Sequence, residues 1–317
     1  MMVEVDMKTL LLGANGQLGR TFLDLGGLAA HGELVAASRD GVLTAGGNGE
    51  IADLSIPESL PILLDRVQPD VIVNAAAYTA VDRAEQEETL ATRVNGEAVG
   101  VLARWAAAHG ALVIHYSTDY VFDGSQSQPY AVDAPTGPLG AYGRSKLAGE
   151  QALRDSGADH LTLRTAWVYA AHGHNFLRTM LRLGAERDEL RVVADQHGAP
   201  TNTGLIVNGT LAALDRWLQF DSAQRRALAG THHLVASGAT SWHGFAEAIF
   251  AGAVGRGLIA RVPRVAAITT ADYPTPAERP AWSLLDNAGF QQRFGYALPD
   301  WQSGLHDVLD ALSRQHA

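Results

Sequence analysis

Short runs of apolar residues alternate with amphipathic stretches through the first half of the chain. The runs carry few internal polar positions, which is typical of strands buried on both faces of a sheet. The predicted strands cover residues 10–14, 34–37, 71–74, 112–115 and 161–164. Residues 87–109 place the apolar side chains of Val94, Ala98, Val101, Leu102 and Trp105 at helical spacing. This alternation predicts an α/β fold in which helices cover both faces of a parallel sheet.

The pattern changes after Trp167, where Gly, His, Pro and Thr become frequent. Helices are predicted around residues 176–186, 204–218 and 242–250. We therefore predict that residues 1–170 form the main sheet domain. Residues 171–317 are predicted to form mainly a smaller α/β domain that closes over a substrate. The pattern leaves open whether part of this second domain returns to the main sheet.

A glycine-rich turn joins the first predicted strand to a helix. Gly13, Gly16 and Gly19 have the spacing G-x-x-G-x-x-G, which suits a tight turn, close approach to a pyrophosphate and packing of helix on strand. The N–H groups and dipole of the helix terminus favour a diphosphate. This context predicts a Rossmann-type, doubly wound parallel sheet that binds NAD(P). The expected contacts are Gly13, Asn15, Gly16, Gln17, Leu18 and Gly19.

The tip of the second strand bears on the choice between NADH and NADPH. An acid there binds the ribose 2′-hydroxyl of NADH, whereas an Arg can pair with the 2′-phosphate of NADPH. The strand ends in Ser38 and Arg39, with Asp40 one step later, which favours NADPH and leaves NADH possible. Further coenzyme contacts are expected from Asp53 and Leu54 beside the adenine, and from the small residues Ala75, Ala76 and Ala77.

Composition narrows the class of protein. Hydrophobic residues make up 47% and charged residues 18% of 317, which fits a globular enzyme with a large core. The net charge of −10, with no basic run, argues against a nucleic-acid partner. The absence of cysteine excludes disulfides and zinc–thiolate sites. No apolar run approaches the roughly 18 residues that span a bilayer. The N-terminal segment carries the acidic residues Glu4 and Asp6, whereas a signal peptide begins with a positively charged region. We expect no membrane partner and a cytoplasmic location.

Candidate chemistry lies in residues 141–150 and in the strand before them. Tyr142 and Lys146 are four residues apart on a predicted helix and share one face. A neighbouring ammonium can lower the pKa of a phenol towards neutrality. Thr118 ends the preceding strand, so the three side chains suit polarising and protonating a carbonyl, which is half of a ketone reduction. A Tyr-x-x-x-Lys pair is also common on ordinary amphipathic helices, and the glycine turn is what favours the chemical interpretation.

With these motifs, the chain resembles the extended short-chain dehydrogenases/reductases and, more narrowly, the dTDP-4-dehydrorhamnose reductases. The glycine turn and the block 142–146 are typical of the whole superfamily. The more specific matches are the blocks 74–82, 117–124, 163–169, 175–181, 195–201 and 279–280. Together these blocks span nearly the whole chain.

The resemblance implies hydride transfer from the nicotinamide to C4 of dTDP-4-dehydro-L-rhamnose, giving dTDP-L-rhamnose. It implies that Tyr142 protonates the alkoxide, that Lys146 binds the nicotinamide ribose and lowers the tyrosine pKa, and that Thr118 hydrogen-bonds the carbonyl. The substrate contacts it implies are Thr118, Asp119, Tyr142, Trp167, Asn175 and Arg279. Residue type alone leaves open whether Trp167 packs in the core, whether Asn175 also caps a helix, and whether Arg279 is merely solvated.

Departures from the family pattern leave alternatives open. Trp282 follows Ala281 where the family run is closer to x-Asn-Ser, so details of the substrate pocket stay open. Related 4,6-dehydratases follow the Asp with a Glu base, whereas Tyr120 follows Asp119 here and favours net reduction. Another nucleotide-sugar reductase or epimerase and a non-catalytic regulatory relative are the alternatives. Both a monomer and a homodimer are compatible with the sequence.

Three histidines raise the question of a metal site. His172, His174 and His197 are separated by a glycine break or by distance in the sequence, and no carboxylates cluster beside them. This arrangement is more typical of a solvated loop. We predict no metal.

Overall fold

The computed structural model describes residues 7–316, so Glu4 and Asp6 lie outside the described residues. In chain order the strands are β1 (Met7–Leu12), β2 (Gly32–Ser38), β3 (Glu50–Ile51), β4 (Val71–Asn74), β5 (Leu112–Thr118), β6 (His160–Thr165), β7 (Val168–Tyr169), β8 (Glu189–Val193), β9 (His197–Gly198), β10 (Thr201–Asn202), β11 (Gly230–His233), β12 (Thr240–Ser241) and β13 (Arg264–Ile268). The α-helices are α1 (Gln17–Leu25), α2 (Leu60–Val67), α3 (Val81–Ala84), α4 (Glu88–Thr92), α5 (Ala98–His109), α6 (Ala141–Ser156), α7 (Phe176–Glu186), α8 (Thr203–Gln219), α9 (Ser222–Leu228), α10 (Trp242–Val254), α11 (Ala288–Phe294) and α12 (Trp301–His316).

Seven strands form the central sheet, in the order β11-β6-β5-β4-β1-β2-β3. Every neighbouring pair is parallel. The strand order reverses between β1 and β4, and ligands of such sheets bind in the crevice at the carboxyl ends of the strands on either side of this point. The predicted doubly wound parallel sheet is confirmed.

The core has one apolar layer on each face of this sheet. Along β1, Leu10 and Leu12 pack on one face, whereas Leu11 packs on the other, because successive strand residues point to opposite faces. All seven residues of β5 are buried. Burial on both faces explains why these strands read as continuous apolar runs.

The helix predicted over residues 87–109 is interrupted. A single π-helical turn, Arg93–Glu97, separates α4 from α5. It turns the buried Asn95 amide towards α6, where Nδ2 donates to Ser145 Oγ at 3.0 Å and to the Tyr78 carbonyl at 3.0 Å. Asn95 Oδ1 accepts from the Tyr78 N–H at 2.9 Å. The π turn therefore ties α6 to the loop after β4, and π turns of this kind often occur at functional sites.

The second half of the chain is built from three short strand pairs, β7–β10, β8–β13 and β9–β12, with helices around them. Two of its elements belong to the main sheet. Helix α8 packs beside α1 in the apolar layer on one face, and β11 pairs with β6. Part of the second half thus returns to the sheet. Among residues 7–316, no helix is both long enough and apolar enough to cross a membrane.

Candidate active site

A cleft of about 1040 Å³ opens at the carboxyl ends of the strands, beside the point where the strand order reverses. Its walls come from the glycine turn after β1, the tips of β2, β4 and β5, helix α6 and the segment after β6. The residues expected from the sequence that line it are Gly13, Asn15, Gly16, Gln17, Leu18, Ser38, Arg39, Asp53, Leu54, Ala75, Ala76, Ala77, Thr118, Asp119, Tyr142, Lys146 and Trp167. Gly19, Asn175 and Arg279 lie outside this lining.

The glycine turn is held in a shape that leaves backbone exposed to the cleft. Gly13 has φ of +78°, and a Cβ there would lie 2.6 Å from the Ala76 nitrogen. Gly16 precedes α1 without a side-chain cap, so the first N–H groups of the helix are available to an anion. A Cβ on Gly19 would lie 2.1 Å from the Gly13 carbonyl oxygen. Gly19 thus serves the packing of α1 against the turn.

The tip of β2 presents two opposite charges at the far end of the cleft. Hydrogen bonds from the Val42 N–H and the Ser38 hydroxyl lower the pKa of Asp40 and fix its carboxylate on the turn. Arg39 is exposed and makes no hydrogen bond or ion pair with any described residue. The guanidinium is therefore available to a ligand, whereas the carboxylate is already bonded.

Thr118, Tyr142 and Lys146 meet in the middle of the cleft. The buried Lys146 Nζ donates to the Tyr116 carbonyl at 2.6 Å, and burial lowers the pKa of Lys146 to about 8. Thr118 Oγ1 donates to Asp119 Oδ1 at 2.9 Å and accepts from the Tyr120 N–H at 3.2 Å. Three side chains from β5 and α6 are thus brought together as the sequence analysis expected.

The ionisation of Tyr142 differs from the sequence-based expectation. Burial raises its pKa, the Asp119 carboxylate raises it further, and the Thr118 hydroxyl partly opposes both. Lys146 does not lower it here, because its ammonium is directed to a backbone carbonyl. The phenol is therefore protonated at neutral pH, which is the state that a proton donor needs.

Asp119 is a buried carboxyl beside this trio. Burial raises its pKa to about 6, although hydrogen bonds from Ser283 and Thr118 act in the opposite direction. The next residue, Tyr120, packs its ring edge-on against Tyr142, with centroids 5.7 Å apart. The position that would carry a Glu base in a dehydratase thus holds an aromatic ring in the cleft.

Trp167 lines the cleft on the side of the second half. Its backbone lies in the left-handed region, with φ of +48°, which is strained for a bulky residue. Its indole stacks on Trp242 with ring centroids 3.5 Å apart and 4° between planes, and a Cβ on Gly198 would lie 2.4 Å from it. Trp242 also lines the cleft. The sequence analysis missed it, because no local motif links the start of α10 to the end of β6.

Asn175 and Arg279 lie close behind the cleft. Asn175 caps α7 by accepting from the Arg178 N–H at 3.1 Å, and its Nδ2 donates to Gln17 Oε1 at 2.7 Å. Arg279 donates to Asp82 Oδ2 at 2.9 Å and to the Thr275 hydroxyl. Asn175 thus fastens α7 to the start of α1, and Arg279 already has a carboxylate partner.

The three histidines considered above contact different parts of the structure. His172 Nε2 is 3.0 Å from the Gln17 carbonyl oxygen, His174 lines the cleft, and the His197 ring packs against Trp282. Within the part of the chain that the structure describes, no group of three His, Asp or Glu side chains has the arrangement of a metal site.

Comparison with known proteins places this site in context. Residues 7–314 match the model of the family described as the RmlD substrate binding domain. A dTDP-4-dehydrorhamnose reductase of Burkholderia thailandensis is 49% identical over 298 residues, covering 93% of this chain and 96% of the relative. The solved dTDP-4-dehydrorhamnose reductase of Clostridium acetobutylicum has a TM-score of 0.84 at 32% identity, covering 96% of this chain and 99% of its own. The Bacillus anthracis enzyme, solved in complex with NADP, has a TM-score of 0.83 at 29% identity, covering 97% and 100%.

Proposed function

The chain belongs to the RmlD substrate-binding-domain family, and from this membership we propose that it is a dTDP-4-dehydrorhamnose reductase. The reaction is the NAD(P)H-dependent reduction of the C4 keto group of dTDP-4-dehydro-L-rhamnose to dTDP-L-rhamnose. One structural observation supports the proposal in addition to the similarity to known reductases. Thr118, Tyr142 and Lys146 converge in a single cleft with the glycine turn, so a proton donor faces the place for a coenzyme.

The residues around the glycine turn fit a nicotinamide coenzyme. A Cβ at Gly13 would fill the space between the turn and the Ala75–Ala76 backbone, and the uncapped start of α1 suits a diphosphate. When bound, the coenzyme supplies the hydride that C4 receives. The exposed, unpaired Arg39 supports NADPH as the preferred coenzyme, because a guanidinium pairs well with a phosphate. Asp40 leaves NADH as a weaker alternative.

The chain's own residues handle the proton. Tyr142, protonated at neutral pH, donates from its hydroxyl to the oxygen on which negative charge develops. Thr118, beside it, orients that oxygen. Lys146, one helical turn from Tyr142, lines the same cleft and would bind the nicotinamide ribose. Asp119 and Trp167 complete the wall that a sugar ring would meet, and Asn175 and Arg279 hold that wall from behind. A cytoplasmic location fits, because the cytoplasm supplies both nicotinamide coenzymes and sugar nucleotides.

A spectrophotometric assay tests the proposal. The 4-keto sugar nucleotide is generated in situ, and the oxidation of NADPH and of NADH is followed at 340 nm, with the product identified by mass spectrometry. We expect oxidation that depends on the sugar nucleotide and is faster with NADPH. No oxidation above background, with the sugar nucleotide confirmed present, would falsify the assignment.

A further inference from the structure

A chain of buried polar side chains runs beneath the catalytic face of α6. Asn74 ends β4 and is the cross-strand neighbour of His115 on β5. Asn74 Nδ2 lies 3.2 Å from His115 Nδ1, Asn74 Oδ1 is buried without a partner among the described residues, and His115 Nε2 lies 3.5 Å from Lys146 Nζ. His115 and Asn74 are each 1% exposed, and Lys146 is 2% exposed. His115 reaches Lys146 from below the cleft and is absent from the cleft lining.

The chemistry of Lys146 decides the tautomer of His115. An ammonium is only a donor, so the ring nitrogen facing it has to present a lone pair. Nε2 is therefore unprotonated, and the ring proton lies on Nδ1. That proton needs an acceptor, so the Asn74 amide has to be turned over, which exchanges Nδ2 for the unpaired Oδ1 at His115 Nδ1. The orientation of an amide and the tautomer of a histidine are assigned from such networks.

The surroundings of His115 keep the ring neutral. Burial lowers its pKa well below the ordinary value, and the nearby charge of Lys146 lowers it further. His160 on β6 is the other titratable group that faces the ring, and burial also lowers its pKa. On the other side, the Glu150 carboxylate of α6 faces Lys146 and raises the pKa of the ammonium, opposing the effect of burial.

We propose that His115 is a positioning residue that holds Lys146 as an ammonium and aims it at the cleft. Nζ has three protons. One goes to the Tyr116 carbonyl and one to His115 Nε2, which leaves one for the cleft. The inference rests on the proposed function for its catalytic meaning. The protonation state of Lys146, however, can be measured without coenzyme or substrate.

The sequence makes the ionisation of Lys146 easy to measure. The chain contains two lysines, Lys8 and Lys146. In protein labelled with ¹³C-lysine, the side-chain NMR spectrum therefore has two sets of signals, and Lys8→Arg assigns them. A titration of the ligand-free protein gives the pKa of Lys146 without any assay of activity, with Lys8 as an internal reference.

Two isosteric variants separate the role of His115 from its bulk. His115→Gln places an amide near the position of Nε2 and retains a partner for Lys146. His115→Asn places it near Nδ1 and retains only the Asn74 contact. We expect the Lys146 pKa in His115→Asn to fall by about half a unit or more, because a hydrogen bond to the charged form is lost. In His115→Gln it stays close to that of the unaltered protein.

His232→Asn is the control for a general loss of packing. His232 is a buried histidine on β11, two strands from β5, and its ring contacts the Leu228 carbonyl. Its replacement is expected to lower thermal stability and to leave the Lys146 titration unchanged. In the catalytic assay, the alkaline limb of the kcat–pH profile is expected to move to lower pH in His115→Asn only.

The outcomes distinguish this inference from the proposed function. An unchanged Lys146 pKa in folded His115→Asn overturns the inference, as does an equal shift in His115→Asn, His115→Gln and His232→Asn. If the unaltered protein fails to reduce the sugar nucleotide, the proposed function fails. The NMR titration still decides the role of His115 in that case.

Discussion

The two walls of the cleft are built in different ways. The wall proposed to bind the coenzyme, formed by the glycine turn and Ala75–Ala77 and here called the coenzyme wall, is mostly backbone, because Gly13 leaves no side chain between the turn and Ala76. The wall proposed to bind the substrate, here called the substrate wall, consists mostly of side chains from distant segments, such as Trp167 stacked on Trp242. The first wall depends on local glycine spacing, and the second depends on tertiary packing. Changes in the two walls should therefore affect different measured quantities.

The largest effect is expected where the two walls meet. Tyr142→Phe removes the proposed proton donor and leaves the ring, so kcat should fall by roughly 100- to 10,000-fold. Coenzyme affinity should change little, because the glycine turn is untouched. Steady-state kinetics and a fluorescence titration with NADPH measure the two quantities. Full turnover in this variant would exclude Tyr142 as the donor.

A methyl group on the coenzyme wall should weaken coenzyme binding. In Gly13→Ala, the new Cβ is strained at positive φ and must displace the Ala76 backbone. Calorimetry should show a loss of NADPH affinity of roughly 30-fold or more, since about 2 kcal/mol corresponds to this factor. Gly26→Ala is the matched control, because φ is +71° there and nothing lies within 4 Å. It should cost stability alone, and equal NADPH affinities in the two variants would contradict a backbone-made wall.

Replacing Asp119 tests how much free energy of unfolding is lost by burying a charged carboxylate where the two walls meet. Its folded-state pKa of about 6 lies above the ordinary value of 3.8, so the folded state holds the proton more tightly. Stability from this group is complete below pH 4 and is lost as the pH rises to about 6. Asp119→Asn should therefore be more stable than the unaltered protein at pH 7.5, by about 3 kcal/mol, and nearly equally stable near pH 4. Urea unfolding at both pH values checks this, and a less stable variant at pH 7.5 would contradict it.

The smallest effect is expected from the aromatic stack. Trp242→Ala removes the support of Trp167, and an aromatic pair contributes about 0.5–1.5 kcal/mol beyond its buried area. The KM for the sugar nucleotide should rise roughly 3- to 10-fold, with the KM for NADPH unchanged. Trp282→Ala is the matched control, because the Trp282 indole donates to the Gln128 carbonyl and stays outside the cleft lining. A higher KM in the Trp282 variant alone would reverse the assignment of the substrate wall.

The sequence predicted the features that depend on neighbours along the chain. β4 at 71–74 and α7 at 176–186 have the expected bounds, because burial on both faces and a capping Asn leave local patterns. The proximity of Thr118 and Tyr142 could be predicted for the same reason, since a strand end and the next helix meet at one edge of the sheet.

Contacts between distant segments could not be predicted in this way. Arg279 meets Asp82, and Trp167 meets Trp242, only because the second half folds back over the sheet. The pKa of Tyr142 also depends on burial that no spacing encodes. The turn Arg93–Glu97 fits the same helical periodicity as the helices around it, and its π form follows from the bonds of Asn95 to Tyr78 and Ser145.

The pairing of β11 with β6 has a consequence for synthesis of the protein. A ribosome releases residues 1–170 well before residues 230–233, so the emerging chain carries β6 with its outer edge unpaired. All six residues of β6 are buried in the finished protein, and an open apolar edge is a template for association with other chains. The coenzyme-binding half therefore depends on the later half to close its own sheet, and a fragment ending at residue 170 should self-associate.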